Sequence, residues 1–170
     1  MSSHSLSCAV IGAGIAGLSA CIALRRAGHN VELLEKSYFK NEIGAALTTT
    51  PNGGNVLDRW EFDGEKAGET IKLQSRRFRP ESLEQMGCLN LEGVKQRFGR
   101  GIVSMHRVDF HNTLREMALA PELSGSAKLR LGTEVLDVDC KTGTVVLKDG
   151  TKLQKDLIVI ADGIKVGLDR

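Results

Sequence analysis

Residues 9–17 read AVIGAGIAG, and the reading of this stretch decides the fold. Ala9, Val10 and Ile11 end a short apolar run that starts at Leu6 and suits one buried strand. Gly12, Gly14 and Gly17 follow with G-x-G-x-x-G spacing. Residues 14–27 then place Ile15, Leu18, Ile22 and Leu24 in a helix that Gly28 stops. Asn30 to Glu35, NVELLE, is a second strand. Strand, glycine turn, helix and strand within ~30 residues make a βαβ unit. Glycine is common, so a bare G-x-G-x-x-G is weak. Its place between an apolar strand and a helix, with Glu35 about 20 residues further on, makes it a dinucleotide fingerprint.

Each residue of the fingerprint has a physical task. Gly12 permits the tight turn, Gly14 lets a pyrophosphate approach the backbone, and Gly17 lets helix and strand pack closely. The free N–H groups at the helix start carry partial positive charge toward the phosphates. Glu35 can accept hydrogen bonds from a ribose diol and repels a 2′-phosphate. The motif reads only the ADP half that FAD and NAD share, so by itself it leaves both open.

Further along, EIGAALTTTPNGG is rich in small residues. Thr50 and Pro51 suit the N-cap and first position of a short helix to about Trp60, with Gly53 and Gly54 weakening it. Ile71 to Pro80 and Gly87 to Leu91 are expected as strands around a turn at Pro80–Ser82, and Ile102 to His106 as another. Val108 to Leu119 is expected as a helix with Phe110, Leu114 and Met117 on one face. Lys128 to Leu131 and Glu134 to Cys140 are expected strands, and Gly143 opens one that turns at Asp149-Gly150. Asp156 to Ala161 is nearly all Leu, Ile and Val, the pattern of a parallel strand covered on both faces. This order suggests an α/β, doubly wound sheet with a small antiparallel insertion. Asp162 and Gly163 then sit at the carboxyl end of that strand, where open α/β sheets place ligands. Asp63-Gly64 and Asp149-Gly150 read as plain turns.

Composition narrows the function classes. The net charge of +2 is too small to argue for nucleic acid. The basic stretch KLQSRRFRP, with Lys72, Arg76, Arg77 and Arg79, reads as an exposed strand. Aromatics are only 4%, which speaks against a base-stacking platform. The N-terminus shows no basic stretch leading into an apolar one, so no signal peptide is expected. No apolar run approaches the ~20 residues needed to span a bilayer. The four cysteines, Cys8, Cys21, Cys88 and Cys140, are scattered without C-x-x-C. Buried free thiols in a reducing, cytoplasmic setting are expected, with no metal site.

Four segments in order resemble the FAD-dependent aromatic hydroxylases, the salicylate-hydroxylase-like group A flavin monooxygenases. They are GAGIAG with Glu35; EIGAALTTTPNGGNVLDRW, similar to that family's segment beside the flavin; MHRVDFHNTL, similar to its His-Arg-x-Asp-Leu stretch; and LIVIADGIKVGLDR, similar to its Ala-Asp-Gly-Ile segment. The resemblance covers essentially the whole chain. It implies a Rossmann-like, GR2-type FAD-binding domain over residues 1–170, with a βαβ start and an antiparallel insertion. It also implies FAD as cofactor, NADH or NADPH as reductant, and O2 and a small phenolic or polyketide-like aromatic ring as substrates. Beside Gly12, Gly14, Gly17 and Glu35, the resemblance assigns to the cofactor Lys36, the small residues Gly44, Ala45 and Ala46, Arg107, Val135 and Asp162.

Some positions depart from the family. Cys21 replaces an alanine, Val166 stands where serine is common, and Arg170 falls one place late. Relatives continue for about as many residues again, so the chain is expected to be incomplete relative to the family, without the substrate-facing half. No residue is identified as a catalytic acid or base; His106 and His111 flank Arg107, but lone histidines are more often structural. Two alternatives remain beside the monooxygenase reading: an inactive, truncated nucleotide-binding form, and an NAD-linked dehydrogenase, against which the GAAL…PN and Ala-Asp-Gly stretches speak. The sequence leaves the oligomeric state open.

Overall fold

The computed structural model describes residues 4–40 and 44–163. The expectations for Val166 and Arg170 lie outside these residues. In chain order the elements are β1 (Ser7–Ile11), α1 (Ile15–Arg26), β2 (Asn30–Leu34), β3 (Ala46–Thr49), α2 (Pro51–Arg59), β4 (Thr70–Ile71), β5 (Gln74–Phe78), β6 (Gln85–Asn90), α3 (Val94–Phe98), β7 (Val103–His106), α4 (Arg107–Leu119), β8 (Ala127–Arg130), β9 (Val135–Asp139), β10 (Thr144–Leu147), β11 (Lys152–Gln154) and β12 (Leu157–Ile160). They fall into two compact units, residues 1–42 with 114–170, and residues 43–113.

The first unit is built on a four-stranded parallel sheet ordered β12-β1-β2-β8. Side chains of β1 alternate between two faces, and both faces are buried, which is why the run is apolar throughout. Ala9 and Ile11 join Leu34, Val138, Val145 and Leu147 in a core cluster, so the antiparallel sheet β11-β10-β9 covers one face. On the other face α1 packs against β1 and β2, with Leu18, Cys21 and Ile22 fully buried. The sheet is therefore covered by helix on one side and by the antiparallel insertion on the other. The turn at Asp149-Gly150 is a plain hairpin: the Asp149 carboxylate accepts the Thr151 N–H at 2.9 Å, and Gly150 has φ +85°.

Arg25 is the one buried arginine among the described residues, at 3% exposure. Its guanidinium donates to the carbonyls of Gly125 (2.8 Å), Ala118 (2.6 Å) and Ala120 (2.9 Å), which ties α1 to the end of α4 and the loop after it. Glu32 on β2 accepts from Lys155 at 2.9 Å and from Arg130 at 3.2 Å. Burial pulls its carboxyl up, but these two cations outweigh burial and hold it below the usual carboxylate range.

β12 departs from expectation. It pairs in parallel with β1, as its apolar sequence implied, but it is an edge strand and half open, with Leu157 at 37% and Ile160 at 42% exposure. The apolar run alone could not show which strands flank it. The cysteines also divide. None of the four is in a disulfide; Cys8 and Cys21 are buried, while Cys88 and Cys140 are exposed. Burial pushes the Cys21 thiol up to about 12, against the pull of Arg25, which disfavours its thiolate.

The second unit carries the sheet β3-β7-β4 and the hairpin β5-β6, both antiparallel. The expected strand from Ile71 to Pro80 is in fact two, β4 and β5, which belong to different sheets. Every residue of the hairpin strands is exposed. β3 and α3 were not expected, because AALTTT has the small residues of a loop and EGVKQRFG is short and polar. α2 forms despite Gly53 and Gly54. A side chain on Gly54 would meet Arg100 Nε at 2.6 Å, and Arg100 is clamped by Glu69, by Asp58 and by the Gly54 carbonyl. Packing thus overrides helix propensity there. Phe62 and Phe110 meet edge to face, ring centres 5.4 Å apart.

Candidate dinucleotide site

In the first unit the fingerprint residues converge at the carboxyl ends of β1, β2 and β12. Gly12 has φ +95°, a conformation that favours glycine, and its N–H donates to the Leu34 carbonyl at 2.8 Å. A Cβ on Gly12 would also overlap the Ala161 carbonyl oxygen and approach Asp162 Cα to 3.2 Å. The tail motif and the first glycine are therefore neighbours, joined as well by the Ala161 N–H to the Ile11 carbonyl at 2.8 Å. A Cβ on Gly17 would run into the Gly12 carbonyl oxygen and lie 3.3 Å from Val10 Cγ1, so the third glycine sets the distance between helix and strand. Gly14 is different: nothing lies within 4 Å of where its Cβ would be. It is the N-cap of α1, and no side chain caps the helix start. An open glycine and uncapped N–H groups at a helix N-terminus are what a diphosphate needs.

Glu35 does more than the sequence indicated. Its Oε2 accepts the Ala13 N–H at 2.8 Å and its Oε1 the Ser37 N–H at 2.7 Å. The carboxylate thus pins the glycine turn, and each oxygen keeps a second lone pair for a ribose hydroxyl. Its own backbone is locked by the Arg130 carbonyl and the Thr133 N–H, both at 2.9 Å. Lys36 is exposed and lines a cleft of ≈ 380 Å3 with Arg130, Thr133, Glu134 and Lys148. The sequence offered no signal for Arg130, Thr133 or Lys148, because their strands come together only through the β2–β8 and β9–β10 pairings. Lys148 donates to Glu134 at 2.6 Å, and this hydrogen bond lowers the Glu134 carboxyl. Val135 packs against the Ala9, Ile11 and Leu34 core cluster. Asp162 is half-buried.

The remaining candidates lie together in the second unit. The Arg107 N–H donates to the Ala45 carbonyl at 2.9 Å, and Ala46 pairs with His106 across β3–β7. Ala45 and Ala46 are exposed, and Arg107 is half-buried at the start of α4. His111 is fully buried in α4. Among the described residues, no group of three or more His, Cys, Asp or Glu is placed to hold a metal ion, and no helix is long and apolar enough to cross a membrane.

A parallel sheet with a glycine turn opening a helix, and an acid at the end of the second strand, defines a dinucleotide-binding α/β protein. The chain belongs to the pyridine nucleotide-disulphide oxidoreductase family, which it matches over residues 6–167. It is similar to hispidin-3-hydroxylase of Neonothopanus nambi, with 36% identity over 98% of this chain and 40% of that protein. It is also similar to the FAD-dependent monooxygenase cfoG of Aspergillus candidus, with 39% identity over 96% of this chain and 38% of that protein. Among solved structures, the tetrameric form of 2-methyl-3-hydroxypyridine-5-carboxylic acid oxygenase superposes with a TM-score of 0.81 at 26% identity, covering 97% of this chain and 41% of that one. The resemblance to FAD-dependent monooxygenases read from the four sequence segments is borne out. The chain spans about 40% of the length of the curated relatives it matches.

Proposed function

We propose that this chain binds FAD and forms the cofactor-holding part of an NAD(P)H-dependent monooxygenase that uses O2 on a small phenolic or polyketide-like aromatic substrate. The observation that carries this reading is the open Gly14 at the uncapped start of α1, beside the Glu35 carboxylate. The relatives named as FAD-dependent monooxygenases favour FAD over NAD as the resident dinucleotide. The α1 N-terminus and the backbone of residues 12–17 hold the pyrophosphate. Glu35 holds the adenosine ribose, with Lys36 and Val135 toward the adenine side. Asp162 borders the first glycine, and Gly44, Ala45, Ala46 and Arg107 take the flavin end. When bound, FAD supplies the redox chemistry between the reduced nicotinamide and O2. The protein's residues bind and orient it. The two buried thiols accord with a cytoplasmic setting.

The test is direct. The purified chain is titrated with FAD and with NAD, and uptake is followed by flavin absorbance and fluorescence. FAD uptake without comparable NAD affinity is expected. NAD binding without FAD uptake would turn the reading to a dehydrogenase. NAD(P)H oxidation is then measured with simple phenolic acids. FAD uptake with no substrate-stimulated oxidation would select a second reading, a nucleotide-binding form without turnover.

A further inference from the structure

His106 stands in none of the roles above, yet its ring fills the space beside Gly44 where a side chain would stand. A Cβ built on Gly44 would fall inside the imidazole, overlapping Cε1 and Nε2 and reaching Nδ1 at 3.0 Å. Three consecutive residues are thus tied to two others. Gly44 packs on the His106 ring, the Ala45 carbonyl accepts from the Arg107 N–H, and Ala46 is the β-partner of His106. Asp109 Oδ2 lies 3.8 Å from His106 Nδ1, three residues on, within ion-pair distance of the ring. Half of the His106 side chain is exposed (51%), more than a side chain retained for core packing alone would show.

We propose that His106 is a positioning residue for the flavin: its imidazole supports the backbone of Gly44 and sets where the Gly44–Ala46 segment meets the cofactor. This rests on the reading that the chain binds FAD with that segment at the flavin end. The ring fills the space that a side chain at residue 44 would need. A wider residue at 44 therefore pushes the ring and the segment apart, and a smaller residue at 106 makes room again.

The test is a double-mutant cycle on the full chain with G44A, H106A and G44A/H106A. It reads the FAD dissociation constant by flavin fluorescence, the visible circular dichroism of bound flavin, and the melting temperature of the chain without FAD. G44A is expected to weaken FAD binding on the order of 10-fold, and adding H106A is expected to recover most of that loss, because contacting residues couple. H106A alone is expected to change the visible circular dichroism of bound flavin while the melting temperature without FAD stays close to wild type. H106N, which keeps a planar polar group of similar reach, is expected to restore the wild-type signal. Strict additivity in the cycle, or an H106A variant with unchanged affinity and spectrum, overturns the proposal while wild-type FAD uptake leaves the parent reading standing. A wild-type chain that takes up no FAD overturns both.

Discussion

Two glycine-bearing stretches of this molecule have close neighbours of different kinds. At Gly17 the obstacle to a side chain is backbone, the Gly12 carbonyl; at Gly44 it is a side chain, the His106 imidazole. Backbone held in a strand-to-helix turn has nowhere to go, whereas a half-exposed ring can move or be replaced. The glycine turn is therefore fixed by the fold itself, and the Gly44 segment by a contact that can be tuned. The same division runs through the two units. The central strand β1 of the first is buried on both faces, while the β5-β6 hairpin of the second is exposed along its whole length.

The contrast can be broken or sharpened by substitution. The largest effect is expected at Gly17→Ala, which should cost about 4 kcal/mol or prevent folding, because no second mutation relieves a clash with backbone. Chemical denaturation followed by circular dichroism checks it, and a mild effect would mean that helix and strand can separate. Next is Arg25→Met, which leaves the carbonyls of Ala118, Ala120 and Gly125 without their buried donor. A loss of about 3 kcal/mol is expected by the same measurement.

The Glu32 cluster comes third and is read through pH. Its folded carboxyl lies below the usual range because Lys155 and Arg130 outweigh burial. Its stabilising contribution is therefore complete above the unfolded value, about 4.3, and is lost as pH falls through the lower folded value. Glu32→Gln should lower stability near neutrality and flatten the acid limb of a pH–stability profile. An unchanged acid limb would show that other carboxyls govern it.

Gly14→Ala should do the reverse of Gly17→Ala. No atom lies within 4 Å of the new methyl group, so stability should change by less than about 1 kcal/mol, the range of an N-cap replacement. FAD affinity should fall, as fluorescence titration would report. The smallest effect is expected at Leu89→Ser on β6, where the side chain is 62% exposed. A change within about 0.5 kcal/mol by thermal melting is expected; a large loss would show that the hairpin is covered in solution.

The βαβ start was legible because its signals are local. An apolar strand, three glycines at fixed spacing and an acid ending the next strand are set by covalent geometry and hydrogen bonding within some thirty residues. Asp162 was also legible, since a buried-strand pattern delivers it to a carboxyl end. The physical role of Gly12 was only half visible. Its turn could be inferred, but the Ala161 carbonyl that also forbids a side chain arrives from the far end of the chain. β3 and α3 escaped notice because small and polar residues specify neither period, and tertiary pairing with β7 makes β3 a strand.

The sequence by itself determined the dinucleotide turn, the alternation that buries β1 on both faces, and the family resemblance, since each depends on residue type at short spacing. Only the tertiary structure decided that β12 is a half-open edge, that Cys88 and Cys140 are exposed, that Glu35 braces the turn it was expected only to accompany, and that His106 lies under Gly44. Those are contacts between residues far apart in the chain, and no local periodicity carries information about which side chain or strand will arrive there.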